Sequence, residues 1–534
     1  MTQTDNTVCY YVGVDVGTGS ARASLCDVTG RELATSSRPL TVYNPLPDHY
    51  EQRCTEIWGA VCGVVRDVTQ GVGVESVCGI GFDATCSLVL VDSSGEPLSV
   101  SLSEGENNTC LMWMDHRAER ETELVNQCKS CVTDYVGGGF SPEQQPPKLL
   151  WLKKNLPDTW SRAAHLFDLP DWLTYRATGQ TDRSLCSVTC KWGYVLERGG
   201  WDKEFLREVN LEDLAELEKL GTCICSPGES VSGGLSDQAA TELGLRPGTS
   251  VAVSMIDAHA GTLALLRCAP SPVCETLCII SGTSTCIMAL SHTKTWVPGV
   301  WGPYQGAVLP DIWLYEGGQT AAGSALDHIV RSHPAHTAEL TYSKLNSYLG
   351  ASLTDPALHT RTRDVHVVPD LHGNRSPLAL PWFRGMVSGL DLNSSLDNLH
   401  TMYLATVQGL ALGVRLVIEK LKKHGLKFSY ITLCGGLADN PLYLHVLATV
   451  TKLPVVVPRG GNMMCIGAAL LAQCAAENCS PTEKLESGKG GADNVSYCPI
   501  PELVKFYQQK FEVYRHMVDD QLQYRELMKL DRSS

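Results

Sequence analysis

Apolar positions along the chain fall into short runs broken by glycine and hydroxyl residues. The first, YYVGVDVGTGSARASLCDVTG at 10–30, reads as a β-hairpin: apolar residues flank Asp15, a Gly-Thr-Gly turn follows, and a second apolar run ends in another turn at Asp27–Gly30. Its tip is Gly17–Ser20. VCGIGFDATCSLVLVD at 77–92 predicts two buried strands separated by a polar turn, and PKLLWLKKN at 147–155 a helix with proline in its first turn. ETLCIISGTSTCIMALS at 275–291 repeats the first design, apolar then Gly-Thr-Ser-Thr then apolar. The repetition suggests two related lobes, each offering a hairpin tip to a shared cleft. The two prolines of CAPSPV at 268–273 mark the boundary, giving lobes at 8–268 and 272–534. KLESGKGGADN at 484–494 reads as a flexible surface loop. Leu503, Tyr507, Phe511, Tyr514 and Val518 recur at helical spacing, predicting a final amphipathic helix packed on a lobe.

Length agrees with two lobes, because 534 residues exceed what one hydrophobic core organises. A hydrophobic share of 43% and a charged share of 19% belong to a folded globular chain. The net charge of -15 argues against nucleic acid or an anionic lipid surface as partner. The start, MTQTDNTVCYY, lacks a basic region followed by an apolar stretch, so a cytoplasmic protein is expected. The stretch Thr276–Leu290 is broken by small polar residues and is shorter than the roughly 20 residues a bilayer requires, so no membrane span is expected. The 22 cysteines are scattered without secretory context and read as reduced thiols; Cys128/Cys131 and Cys223/Cys225 have no second pair at metal spacing, and no zinc site is expected from them. A homodimer is compatible with these features.

The pattern GxxxxGK[ST] is absent, so any phosphate grip must come from elsewhere. Backbone amides in glycine and hydroxyl turns can cradle phosphate oxygens. Gly17-Thr18-Gly19-Ser20 and Gly282-Thr283-Ser284-Thr285 both qualify, and each is also readable as a plain structural turn. Asp15 could hold a hydrated Mg²⁺, which prefers oxygen ligands, or cap the turn. A dinucleotide fingerprint fails, since Arg22 stands where the third glycine of GxGxxG belongs.

VDVGTGSARA, GFDATCSLV, WMDHRA, KLLWLKKN, MIDAHAG, SGTST, HGNRSP and GGLADNPLY follow one another between residues 10 and 475. Together they resemble the FGGY family of carbohydrate kinases. The resemblance implies an α/β, two-lobed actin-like, ribonuclease-H-like ATPase fold with a catalytic cleft between the lobes, and a reaction between ATP and a sugar with Mg²⁺ as cofactor. It also implies that Asp15, Gly17, Thr18, Gly19 and Ser20 face the ATP phosphates with Gly282, Thr283 and Ser284, and that Gly435, Gly436 and Asn440 lie at the adenosine. Asp257 corresponds to the family's base. Such a base would orient a weakly nucleophilic sugar hydroxyl and accept its proton late, because phosphoryl transfer depends mostly on positioning and charge stabilisation. Asp83, Asp115 and Arg117 are the first-lobe candidates for sugar contact, and the last two also read as a structural ion pair. Lys191 and Glu316 look like the lysine and glutamate that ribulokinase-like members direct at a ketopentose. TCSLV at 85–89 and DLHGNRSP at 370–377 resemble that branch most, with D-ribulose the implied substrate. L-ribulose, D-xylulose and polyols are the alternatives within the class. A non-catalytic actin-like nucleotide-binding module is the alternative outside it, and it has no need of a base.

Overall fold

The computed structural model describes residues 9–529 apart from 104, 106, 217, 271, 350–351 and 488–492. The predicted hairpin forms from β1 (Tyr10–Val16) and β2 (Ser20–Asp27), and β3 (Glu32–Pro39) extends it antiparallel. On its other side β1 pairs in parallel with β4 (Val77–Ala84). The next run, β5 (Leu88–Val91), is not its hairpin partner: it turns into a smaller antiparallel sheet with Cys110–Leu111 and His165–Asp168. β6 (Ser250–Val251) and β7 (Met255–Ile256) follow each other along the free edge of β4, both parallel to it. The helix predicted after Pro147 starts two residues earlier, as α1 (Gln145–Asn155). α2 (Leu185–Lys191) is capped by the Ser184 hydroxyl, which accepts from the Cys186 N–H. α3 (Asp257–Cys268) springs directly from β7.

The second sheet repeats this plan. β8 (Thr276–Ser281) and β9 (Thr285–Ser291) form the second predicted hairpin; the sheet runs from β10 (Trp301–Gln305) through β11 (Trp313–Gln319), β9 and β8 to β12 (Tyr430–Cys434), β13 (Val455–Pro458) and β14 (Asn494–Tyr497). β8 is thus antiparallel to its hairpin partner and parallel to β12, as β1 is to β2 and β4. These two mixed sheets with their helices make the two-lobed α/β architecture that the repeated hairpins predict. α4 (Gly323–Ser332) begins against the second hairpin tip. α5 (Leu396–Lys423) is long and apolar enough to cross a membrane by composition, more so than Thr276–Leu290, yet nearly all of that apolar window is buried in the protein. It is a core helix, capped by Ser395 and closed by Lys420, Lys422 and Lys423 in its last turn. α6 (Pro441–Thr451) follows β12.

α7 (Met463–Glu477) lies late in the chain and packs on β1 and β4 of the first sheet, and against α3, which in turn contacts β8 and β12. The helix pair therefore joins the two sheets. Glycines make the contact close: a Cβ on Gly13 would sit 1.8 Å from the Cys465 carbonyl oxygen, and one on Gly81 2.2 Å from that of Ala468. The loop expected at 484–494 is partly helical, since α8 (Pro481–Ser487) carries its first four residues; 488–492 lie outside the described residues. α9 (Val504–Leu527) buries Tyr507, Phe511, Tyr514 and Val518, as its spacing predicts.

Candidate active site

Three neighbouring parallel strands end in carboxylates. Asp15 on β1 stands opposite Asp83 on β4, and β7, paired to β4 through Met255 and Asp83, delivers Asp257 as the first residue of α3. Side chains at the carboxyl ends of adjacent parallel strands converge, which places chemistry where the sheet opens into the cleft. Asp15 is 1% exposed and Asp83 0%, whereas Asp257 keeps part of its surface open. Arg22 Nη2 lies 3.0 Å from Asp15 Oδ2, while Asp15 Oδ1 and both Asp83 oxygens meet no hydrogen-bond donor among the described residues. Burial pushes Asp15 up to about 6 against the pull of Arg22. Burial and then the Asp15 and Asp257 charges push Asp83 well above the carboxylate range. Two buried carboxyls in register on neighbouring strands disfavour each other's charge, and Asp83 is raised more because Asp15 has the guanidinium beside it. Burial also raises Asp257, opposed by the Ala258 N–H that donates to its Oδ1 at 2.7 Å and by the nearby cations.

The first turn is held from behind. Trp113 Nε1 donates to the Thr18 hydroxyl at 3.0 Å, Gln52 Nε2 donates to the Thr18 carbonyl at 3.0 Å, and the Gly17 N–H closes the turn on Ser20 O at 3.0 Å. The second turn is held by α4, whose Gly323 N–H donates to Gly282 O and Ser324 N–H to Thr283 O at 3.0 and 3.2 Å. Gly19 and Gly282 face open space, where a Cβ would meet nothing within 4 Å. Gly435, at φ 93°, lets the turn after β12 close on β8, since a Cβ there would lie 2.6 Å from Ser281 O. Gly436 is open. The second phosphate-turn candidate and the glycine pair are therefore neighbours. Asn440 is 3% exposed: Oδ1 caps α6 by accepting the Tyr443 N–H at 3.3 Å and also accepts from Asn346 Nδ2 at 3.0 Å, while Nδ2 donates to Tyr403 Oη at 2.8 Å. These bonds fix the turn that carries Gly435 and Gly436.

Across the cleft two buried ion pairs join the lobes. Lys191 Nζ donates to both Glu316 carboxylate oxygens at 3.2 Å, and Arg375 Nη2 to those of Glu143 at 3.1 and 3.0 Å. The Trp301 ring lies between the cations, 4.4 Å from Lys191 Nζ and 5.4 Å from the Arg375 guanidinium carbon. Burial opposes the Glu316 charge, but Lys191, then His259 and Arg375, hold its carboxyl below the usual range. Glu143, Arg375 and Trp301 were not singled out from sequence; the one signal was Arg375 inside DLHGNRSP.

Asp115 and Arg117 are spent on each other and on Glu51. Arg117 Nε donates to Asp115 at 2.9 Å and Nη2 to Glu51 at 2.8 Å, Asp115 Oδ2 accepts the Tyr50 N–H at 2.6 Å, and the side chains of Arg117, Asp115 and Glu51 are 0% exposed. They form the structural ion pair, and they steady the Glu51–Gln52 strand from which Gln52 reaches Thr18. Asp83, too, stands beside Asp15 at the phosphate end rather than with Lys191 and Glu316.

The site can orient a hydroxyl, take its proton at Asp257 and surround a phosphate with turn amides. The oxygens of Asp15 and Asp83 are hard ligands of the kind Mg²⁺ prefers, and apart from the Asp15 oxygen beside Arg22 they meet no donor among the described residues. Comparison with known proteins agrees with this inventory. Residues 10–264 and 277–476 match the N-terminal and C-terminal domain models of the FGGY family of carbohydrate kinases. An FGGY carbohydrate kinase domain-containing protein of Danio rerio is 44% identical over 96% of this chain and 98% of its own. A D-ribulokinase of Saccharomyces cerevisiae is 37% identical over 90% of this chain and 74% of its own. The crystal structure of a xylulose kinase from Rhodospirillum rubrum superposes with a TM-score of 0.80 at 19% identity, over 96% of this chain and 99% of that one.

Proposed function

The chain belongs to the FGGY family of carbohydrate kinases, and from that premise we propose that it phosphorylates a ketopentose with ATP, D-ribulose giving D-ribulose 5-phosphate. The observation that carries the reading is Asp257, partly open to the cleft at the end of β7, next to two buried carboxylates and within one sheet of the Gly17–Ser20 turn. Its sugar preference is supported by the Saccharomyces cerevisiae relative and by Lys191 and Glu316, which offer donor and acceptor to a polyhydroxylated substrate.

In this reading the two turns hold the phosphates through backbone N–H groups, which need no reorganisation as charge develops. Asp15 and Asp83 would hold Mg²⁺, which supplies charge neutralisation at the transferring group. Asp257 aligns the sugar hydroxyl; as its oxygen bonds to the γ-phosphorus and the bond to the bridging oxygen breaks, the hydroxyl proton passes to the Asp257 carboxylate and ADP leaves. The raised position of Asp257 makes it a better acceptor than an exposed aspartate. The alternative sugars stay in the test. ADP release is measured across D-ribulose, L-ribulose, D-xylulose and polyols, with the phosphorylated carbon located by NMR. D-Ribulose should have the highest kcat/KM, and a better competitor overturns the assignment. Asp257→Asn should lower turnover by about 10² to 10⁴; unchanged sugar-dependent turnover refutes the role of Asp257.

A further inference from the structure

One cluster of donors in the cleft wall has no part in phosphoryl transfer. Cys186 and Cys190 lie four residues apart on α2, so their thiols share one helix face. His259, on the first turn of α3, meets them there, with Nε2 3.3 Å from Cys190 Sγ. The three donor atoms lie within 4.8 Å of one another, and all three residues are buried. A tetrahedral zinc ion bonded to sulfur at about 2.3 Å and to nitrogen at about 2.0–2.1 Å sets its ligand atoms roughly 3.5–3.8 Å apart. The 3.3 Å contact and the 4.8 Å limit of the cluster bracket that spacing. A fourth oxygen is at hand, since Glu316 Oε2 stands 3.9 Å from His259 Nε2.

We propose that Cys186, Cys190 and His259 bind a thiophilic divalent ion of the zinc class, with the Glu316 carboxylate completing the shell. Two thiols and an imidazole from two helices suit zinc and are poor ligands for Mg²⁺. Both thiols give up their protons on binding. The other cysteine cluster, Cys223 and Cys225 with Asp182, has its sulfurs 3.7 Å apart but Cys223 lies exposed, so water competes with it.

Occupancy has a consequence for the cleft. Glu316 cannot ligate the ion through Oε2 and keep both oxygens on Lys191, so the ion takes one of the two bonds of the cross-lobe pair and should inhibit the kinase. That consequence rests on the ketopentose-kinase reading; binding does not.

The full chain, stripped of metal with a chelator, is titrated with Co²⁺ as the spectroscopic stand-in, and Zn²⁺ then competes. Thiolate-to-cobalt charge-transfer absorption should appear and saturate at one ion per chain. Cys186→Ser/Cys190→Ser and the milder Cys190→Ala, each checked for native circular dichroism, should weaken binding by at least the roughly 100-fold that loss of even an outer-shell partner can cost. Cys223→Ser/Cys225→Ser should leave it unchanged. The site is overturned if the wild type shows no charge transfer, if it persists in both variants on α2, or if it vanishes with Cys223 and Cys225. Zn²⁺ inhibition should follow the same variant pattern; binding without inhibition overturns the regulatory half, and charge transfer in a protein that phosphorylates no sugar keeps the site while refuting the kinase reading.

Discussion

Removing Lys191 leaves Glu316 charged in a wall where it is 3% exposed. At 3.2 Å and an effective dielectric constant near 20, the attraction that is lost is about 5 kcal/mol before desolvation is counted. Stranding one member of a buried pair costs about 3–5 kcal/mol. Lys191→Met and Glu316→Gln should each lower stability by that order, read from denaturant midpoints followed by tryptophan fluorescence. The double variant strands no charge, so it should recover a large part of the summed loss, giving a coupling energy of about 2 kcal/mol or more. The same cycle read as kcat/KM for D-ribulose should show all three variants impaired, because the proposed function has both groups contact the sugar. Single losses below about 1 kcal/mol, the worth of an exposed pair, or strict additivity would refute the reasoning.

Three further outcomes follow from the structure. Burial pushes Asp168 up to about 8, so the folded protein keeps a proton there that the unfolded chain releases near 4; stability should therefore fall as pH rises from about 4 to 8, and Asp168→Asn, which can still accept from Gln145 and Trp192, should flatten that slope in pH-dependent melts. Gly13→Ala should destabilise by about 3 kcal/mol or more in chemical denaturation, since its Cβ would overlap the Cys465 carbonyl with only backbone there to yield. Gly19→Ala should leave stability within about 0.5 kcal/mol yet raise the KM for ATP, because its methyl enters the open space in front of the first turn.

Both hairpins were legible in the sequence because an apolar run, a glycine-hydroxyl turn and a second apolar run are local signals. The repeated sheet plan followed from them. What the residues alone did not disclose was pairing. Nothing in GFDATCSLV discloses that Asp83 sits in register with Asp15, 68 positions before it. Lys191 and Glu316 are 125 residues apart, and their meeting depends on two lobes closing. Asp115 and Arg117, two residues apart, could be weighed as an ion pair from the start; burial decided it. The Cys186, Cys190 and His259 cluster escaped a search for paired cysteine spacings because its third donor comes from a different helix.

α7 has a meaning for how the molecule is made. The face of β1 and β4 around Gly13, Gly79 and Gly81 is covered by residues 463–477, close to the end of the chain. A ribosome has therefore moved far past the first lobe's own strands before the first sheet can be sealed, and until then that apolar face waits in the crowded cell for chaperones or for α7. Contiguous in sequence, the strands of the first sheet are covered by residues translated roughly two hundred positions after the last of them.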